Sequence, residues 1–457
     1  MSPRIDNQLL TRYNLPVPRY TSYPTVPHWQ EGINKSLWKE TFNRQFSIHN
    51  QQEGISLYLH LPFCESLCTY CGCNKKITTN HRVENEYLDA IIREWKIYRD
   101  SMEEKPVIRE IHIGGGTPTF FSPANLAELL EKIFRDSTIH PQHEFSIEGH
   151  PNNTTTSHLI TLYQLGFRRI SYGVQDNDPE VQRIINRIQP VENVQRVTDD
   201  ARKTGFTSVN FDLIYGLSLQ NTERMRKTIL QTMAMKPDRI AFYSYAHVPW
   251  TSRGQRLFDE NDLPTTQEKM QLYQLGKQLF AEYGYHDIGM DHFALPTDDL
   301  FIAWKQGRLH RNFMGYTTQR TSLLLGLGVS SISDAGIAFA QNEKSLSDYY
   351  TAIKNNDLAA FRGYFLNEED IDFRKYILDI SCQGKTAFLH KNLPVLKEFS
   401  FPELIKLEAD GFIQWNEERL QVTELGRNFI RNICSSFDLH LLRSREQTNK
   451  LRFSKAI

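Results

Sequence analysis

Between residues 55 and 283, runs of period two alternate six times with runs of helical period, and few architectures accept that pattern. β-branched and aromatic residues cluster over 55–61, 108–113, 144–148, 168–174, 208–215 and 239–246, which predicts strands. Amphipathic stretches over 84–99, 123–135, 157–165, 192–204, 223–235 and 267–283 predict helices. Gly166, Gly205, Pro237 and Gly284 stand at the helix-to-strand turns, where helix stops belong. Six βα units imply an α/β fold around a parallel sheet, either doubly wound and open or rolled into a full or partial barrel. In both, working residues gather at the C-terminal ends of the strands.

The flanks read differently. Residues 1–50 hold Pro16, Pro18, Pro24 and Pro27 and show no clean period, which predicts an extended arm lying over the body. The many aromatics there argue against a disordered tail. Beyond about residue 365, a helical pattern over 401–410, strands over 412–415 and 420–423 around a polar turn, and a second helical pattern over 424–437 resemble a winged helix. A chain of 457 residues should form two or three domains. The expected division is 1–50 as an arm covering the site, 51–364 as the β/α body, and 365–457 as a mainly helical C-terminal domain. That last part has equal numbers of basic and acidic residues, so a structural or capping role is expected of it rather than DNA binding. The whole chain carries a net charge of only −1, which argues against bulk nucleic-acid binding. The polar start predicts no secretory signal, and no apolar run reaches the roughly 20 residues of a membrane span. A cytoplasmic monomer is the expectation.

Four of the six cysteines, Cys64, Cys68, Cys71 and Cys73, lie within one short segment, directly after the first expected strand. In a reducing compartment such a group reads as metal-binding or catalytic. Three thiolates in a C-x3-C-x2-C loop can hold three corners of a cubane iron–sulfur cluster and leave the fourth iron open. Clusters that only carry electrons normally have four cysteine ligands. A four-cysteine zinc site is the competing reading, but zinc ligands usually arrive as separated pairs. Cys73 is open between a spare ligand, a thiol with a catalytic part and a small buried residue. The isolated Cys382 and Cys434 read as core filling.

After the second strand, Gly114-Gly115-Gly116-Thr117 lets the backbone approach a ligand closely. A phosphate loop would need a Gly-Lys-Ser/Thr ending, which is missing. Polar residues then recur at one expected rim: Glu148 at the third strand end, Gln175 and Asp176 after the fourth, and Asp212 in the fifth. Each alone suits a satisfied core hydrogen bond; together they suggest a cavity for a polar ligand. Arg187 is placed to pair with a carboxylate there.

The cysteine spacing, with Tyr70 just before Cys71, resembles the radical S-adenosylmethionine (SAM) superfamily. Further strings narrow the likeness: Pro18-Arg19-Tyr20-Thr21-Ser22-Tyr23-Pro24-Thr25, Cys71-Gly72-Cys73-Asn74-Lys75, Gly173-Val174-Gln175-Asp176, Asn210 to Leu217, Gly289 to Ala294, His310-Arg311-Asn312-Phe313 and Gly315 to Gln319. Together they resemble the oxygen-independent coproporphyrinogen III oxidase (coproporphyrinogen dehydrogenase) family over nearly the whole chain. That resemblance implies a partial (β/α)6-type radical SAM barrel. It also implies a [4Fe–4S] cluster on Cys64, Cys68 and Cys71 and two SAM molecules. Tyr58, Gly115, Glu148 and Ile332 would contact the first SAM. Tyr70, Gly116, Thr117, Gln175, Arg187, Asp212 and Ala246 would contact the second.

The implied reaction is oxidative decarboxylation of two propionates of coproporphyrinogen III to vinyl groups, giving protoporphyrinogen IX in haem (porphyrin) biosynthesis. It needs an electron donor and an acceptor that the sequence does not identify. The substrate has four carboxylates, so cationic partners are expected, with Arg19 and Arg311 as candidates. His292 and His310 read as structural. Two positions depart from the family pattern. His150 stands where Glu-x-Asp-Pro is usual, which alters the charge beside the cofactor pocket, and Ser218 stands where Leu-Pro is usual. The competing functions are a radical SAM enzyme acting on another tetrapyrrole and a haem-binding chaperone on the same scaffold.

Overall fold

A computed structural model describes residues 7–250, 252–257 and 259–444 of the chain. Positions 1–6 of the expected arm and 445–457 of the expected C-terminal domain lie outside the described residues. Within them, the helix Pro123–Arg135 shows how pattern becomes structure. The Ser122 side chain accepts from the Asn125 N–H, and Pro123 opens the helix with its φ already set. Leu126, Leu129, Leu130 and Ile133 recur at helical spacing and are fully buried. Each such side chain stabilises the fold by roughly 1.5–3 kcal/mol on leaving water.

The six expected strands are β1 (Ile55–Leu61), β2 (Val107–Gly115), β3 (Thr138–Gly149), β4 (Phe167–Gln175), β5 (Ser208–Tyr215) and β6 (Arg239–Ser244). They lie side by side in chain order and are all parallel. Crossovers between parallel neighbours are right-handed, so strands laid down in chain order put their helices on one face and curl around the other. That is the barrel-like alternative rather than the doubly wound one. The pairing order is open, running from Gln30–Glu31 at one edge to His286–Gly289 at the other.

The sheet is wider than six strands; it has 13. Outside β1, Leu324–Leu327 runs parallel to it, followed by antiparallel Ile332–Asp334, Ala338–Asn342, Ala360–Phe365 and Gln30–Glu31. Outside β6 lies the antiparallel hairpin of His292–Ala294 and His286–Gly289. These flanking strands are short, and Leu324–Leu327 is buried throughout, so it shows no alternation.

The arm is extended only in part. Residues 35–49, expected as extended, form the helix Lys35–His49. Asn34 caps it by accepting from the Leu37 N–H, and Trp38, Phe42 and Phe46 form its buried stripe. A second difference lies in the C-terminal region. The single helix expected over 424–437 is a 3-10 turn, Gly426–Phe429, followed by the helix Ile430–Ser435. The Phe412 backbone passes directly against Gly426, and Phe412 stacks on Phe429 at 4.2 Å, which forces the tight turn. The hairpin of Ile413–Trp415 and Arg419–Val422 forms and gains a third strand, Lys385–Ala387, after the helix Glu368–Gln383. Among the described residues no helix is long and apolar enough to cross a membrane.

Candidate functional site

The cysteine loop leaves the sheet at the C-terminal end of β1. Phe63–Cys64 pairs in parallel with Lys76–Ile77, and the Lys76 N–H donates to the Pro62 carbonyl at 2.8 Å, closing the loop at its base. Its backbone is pinned from two sides. Thr69 N–H donates to the Ile185 carbonyl (3.0 Å), Asn186 Nδ2 to the Leu67 carbonyl (2.8 Å), and Gln255 Nε2 to the Tyr70 carbonyl (2.9 Å). Cys64 is buried, Cys68 and Cys71 are half-buried, and Cys73 is exposed.

All four cysteines line one cavity of about 410 Å³. Tyr70, Gly115, Gly116, Thr117, Glu148, Gln175, Arg187 and Asp212 line it too. Three expected cofactor contacts, Tyr58, Ile332 and Ala246, do not. Tyr58 pairs with Gly326 across the sheet, and the Ile332 backbone packs against Gly326, so those two sit one strand apart at the edge of the site. Ala246 is tied to the cysteine loop through Gln255, whose Nε2 donates to both the Ala246 and Tyr70 carbonyls.

Donors are aimed at the sulfurs. Thr117 Oγ1 donates to Cys64 Sγ at 3.2 Å, and Arg187 Nη1 to Cys68 Sγ at 3.5 Å. The Cys73 thiol hydrogen-bonds to Cys71 and, against burial and with help from Lys75, holds the Cys71 thiol below its ordinary value; the same contact pushes Cys73 up. Burial pushes Cys64 up to about 11 despite Thr117.

The glycines serve this space. A Cβ on Gly116 would lie 2.5 Å from the Pro62 carbonyl oxygen and 2.9 Å from Cys64 Sγ. Gly115 has φ +125°, open to glycine alone at little cost, and its N–H donates to Glu148 Oε2 at 3.2 Å. Among the described residues no three His, Cys, Asp or Glu side chains are arranged to hold a single metal ion. Three thiols spread along a roomy, donor-lined wall fit a cubane, whose irons occupy separate corners. The buried Arg187 Nε has no hydrogen-bond partner and is a further donor beside that wall.

The acids divide by role. Glu148 lines the cavity, with His112 Nε2 3.4 Å from Oε1. Asp212, held by Ser171 Oγ and Asn210 Nδ2, is pushed up to about 6 by burial and by the Glu148 charge. Asp176 is internally satisfied by Thr228, Gln220 and the Asp178 N–H, and is structural. His150 lines the cavity with Nδ1 accepting from the Asn152 N–H; burial and then Arg187 lower it far below the usual range, so it is neutral. Burial likewise lowers His292 to about 3 and His310 to about 4. Cys382 and Cys434 are buried away from the cavity.

Arg19 and Arg311 lie outside the cavity, near each other. Arg311 Nη2 donates to the Arg19 carbonyl at 3.4 Å, and Arg19 Nη2 to the Ser244 carbonyl at the end of β6 at 3.0 Å. His60 escaped the sequence reading. It bridges Tyr58 OH (3.0 Å to Nδ1) and the Asn74 carbonyl (2.9 Å to Nε2), so it locks Tyr58 to the cysteine loop. Its position two residues from Tyr58, on the same strand face, was the available signal.

Comparison with known proteins bears on family and fold. Residues 58–231 match the family described as the radical SAM superfamily. The chain is 37% identical over 465 residues to the oxygen-independent coproporphyrinogen III oxidase of Pseudomonas aeruginosa, covering 99% of each chain. It is 37% identical over 462 residues to the enzyme of that name from Escherichia coli, covering 99% of this chain and 98% of the other. A solved structure of coproporphyrinogen III oxidase from Escherichia coli, described as a radical SAM enzyme, superposes with a TM-score of 0.88 at 35% identity. That match covers 96% of this chain and 100% of that one.

Proposed function

Because the chain belongs to the family of oxygen-independent coproporphyrinogen III oxidases, we propose that its cavity is where two of the four propionates of coproporphyrinogen III become vinyl groups. The protein is a radical SAM enzyme of haem biosynthesis, and its family implies a [4Fe–4S] cluster and SAM. The observation that carries the reading is the convergence of Cys64, Cys68 and Cys71 with the glycine turn and Glu148 on one cavity. When bound, the cluster supplies the electron that cleaves SAM to a 5′-deoxyadenosyl radical.

The chain's own residues then have separable tasks. Cys64, Cys68 and Cys71 hold the cluster, and Thr117 and Arg187 offset charge on the sulfurs. Glu148, on the Gly115 N–H, receives the amino group of one SAM, with Tyr58, Gly115 and Ile332 around it. A second SAM lies toward Tyr70, Gly116, Thr117, Gln175, Arg187, Asp212 and Ala246. Cys73, hydrogen-bonded to Cys71, tunes that ligand. Arg19 and Arg311 receive substrate carboxylates. Each turnover removes a hydrogen atom from a propionate β-carbon, then CO2 and one electron, so an external acceptor completes the balance. In this reading the described arm, 7–50, covers the site on the body (51–364), and the described part of the C-terminal domain, 365–444, backs the arm. The protein works as a cytoplasmic monomer.

The test is anaerobic turnover of the reconstituted protein with SAM, a strong reductant, an electron acceptor and coproporphyrinogen III, followed by mass spectrometry. Two successive losses of CO2 plus two hydrogens, with 5′-deoxyadenosine formed, are expected. An unchanged tetrapyrrole with SAM still cleaved would overturn the substrate. Haem bound stoichiometrically without such turnover would favour a chaperone.

A further inference from the structure

A buried guanidinium normally sits against a carboxylate, because desolvating an uncompensated charge is costly. Arg311 breaks that rule. It is 7% exposed, and among the described residues no carboxylate forms an ion pair with it. Its Nε and Nη1 have no hydrogen-bond partner; only Nη2 donates, at a long 3.4 Å, to the Arg19 carbonyl. The strand His310–Asn312 pairs Arg311 with Tyr316, and its guanidinium lies 4.8 Å over that ring.

A second orphan faces the same ring. His292 packs edge-on to Tyr316 at 5.2 Å and to Tyr243 at 5.8 Å, and its buried Nδ1 has no partner. Arg19 completes the group, with its guanidinium 5.9 Å from the Tyr243 ring and its nearest acid, Asp291, 3.9 Å away. His292, Tyr243 and Tyr316 line a small chamber of about 90 Å³. That chamber shares Glu148, Ser171, Asp212 and Tyr243 with the cluster cavity, so the two spaces adjoin. Of Arg311, His292 and Arg19, only His292 lines the chamber; Arg311 and Arg19 stand behind its Tyr316 and Tyr243 walls, and none of the three lines the cluster cavity.

We propose that Arg311, with the Nδ1 edge of His292 and the Arg19 guanidinium, forms a receptor for a propionate that is not being decarboxylated. The proposal rests on the functional reading above and deepens it. One of the free Arg311 groups, paired with the remaining Nη2–H, makes a fork that matches a carboxylate's two oxygens. The aromatic walls of Tyr243 and Tyr316 leave the pair little water to compete with it. Because this receptor stands outside the cluster cavity, the carboxylate on it persists from substrate to product.

Persistence makes the site testable. Equilibrium dialysis of coproporphyrinogen III and of protoporphyrinogen IX would be run anaerobically with the reconstituted full chain. Both ligands are quantified as fluorescent porphyrins after oxidation. Arg311→Met is expected to weaken both ligands by a similar factor, about tenfold, and Arg311→Lys to recover part of the loss. SAM affinity, iron content and melting temperature, measured on the same samples, should stay near wild type, which separates a binding role from a folding one. Weakening of the substrate alone would mean that Arg311 holds a reacting propionate and would overturn the proposal. Equal binding by wild type and Arg311→Met would overturn it while leaving the reaction intact. Failure of the wild type to bind either tetrapyrrole would overturn both. If Arg311→Met does not fold, His292→Phe, which removes the orphan Nδ1 and keeps the ring packing, must show the same parallel loss.

Discussion

At Gly116 a single methyl group decides whether the site can load. The added Cβ would press on the Pro62 carbonyl and on Cys64 Sγ, both fixed by the closed base of the cysteine loop. Gly116→Ala should therefore fold but lose most of its reconstituted iron, read by metal analysis and visible absorbance. Asp212 carries the opposite trade. Its folded-state pKa, about 6, lies above the ordinary carboxylate value, so it favours the protonated fold. That stability is fully present below about pH 4 and is lost as pH rises through 6. Without cofactors, Asp212→Asn should be more stable than wild type by about 3 kcal/mol at pH 8 and nearly equal to it at pH 4, as measured by thermal scans at both pH values. The same variant should bind SAM more weakly. The clustering of cysteines at one cavity was legible in the sequence because all four lie within one short segment. The solitude of Arg311 was not, since a missing partner is a property of tertiary neighbours.

Element by element, legibility followed length and period. β1 and β5 fall where the sequence reading places them because each is long and β-branched or aromatic. The flanking strands of three to five residues around 324–342 offer too few positions for any period to show. The helix Lys35–His49 was hidden differently. Its stripe of Trp38, Phe42 and Phe46 is regular, but the prolines upstream dominated the reading of its neighbourhood. This helix starts at a side-chain cap, so Asn34→Ala should cost about 1 kcal/mol in urea unfolding, with Trp38 as a natural fluorescent reporter. Trp38 Nε1 donates to Tyr98 OH at 3.0 Å, which couples that reporter to the helix Val83–Arg99 behind β1.

Across the whole molecule, residues 12–23 are held against residues 410–439. Arg431 donates to the Val17 and Pro18 carbonyls, Tyr20 OH to Asp438 at 3.0 Å, and the Leu439 N–H to Tyr23 OH at 3.1 Å. Arg12 and Tyr13 both reach Asp410. The exposed Arg12–Asp410 pair adds little by itself. Arg431 is half-buried, and Arg431→Leu would leave two carbonyls without their donor. It should cost roughly 3 kcal/mol and speed amide exchange over residues 13–24, followed by mass spectrometry. Charge and period could not reveal this clasp, because its partners stand some 400 positions apart and each looks like ordinary surface chemistry. The clasp also sets an order in time. During synthesis the cysteines leave the ribosome early, whereas residues 17–23 cannot find their seat until Arg431, Asp438 and Leu439 have emerged. Until then residues 17–23 stay undocked, although the cysteine loop has long since been made.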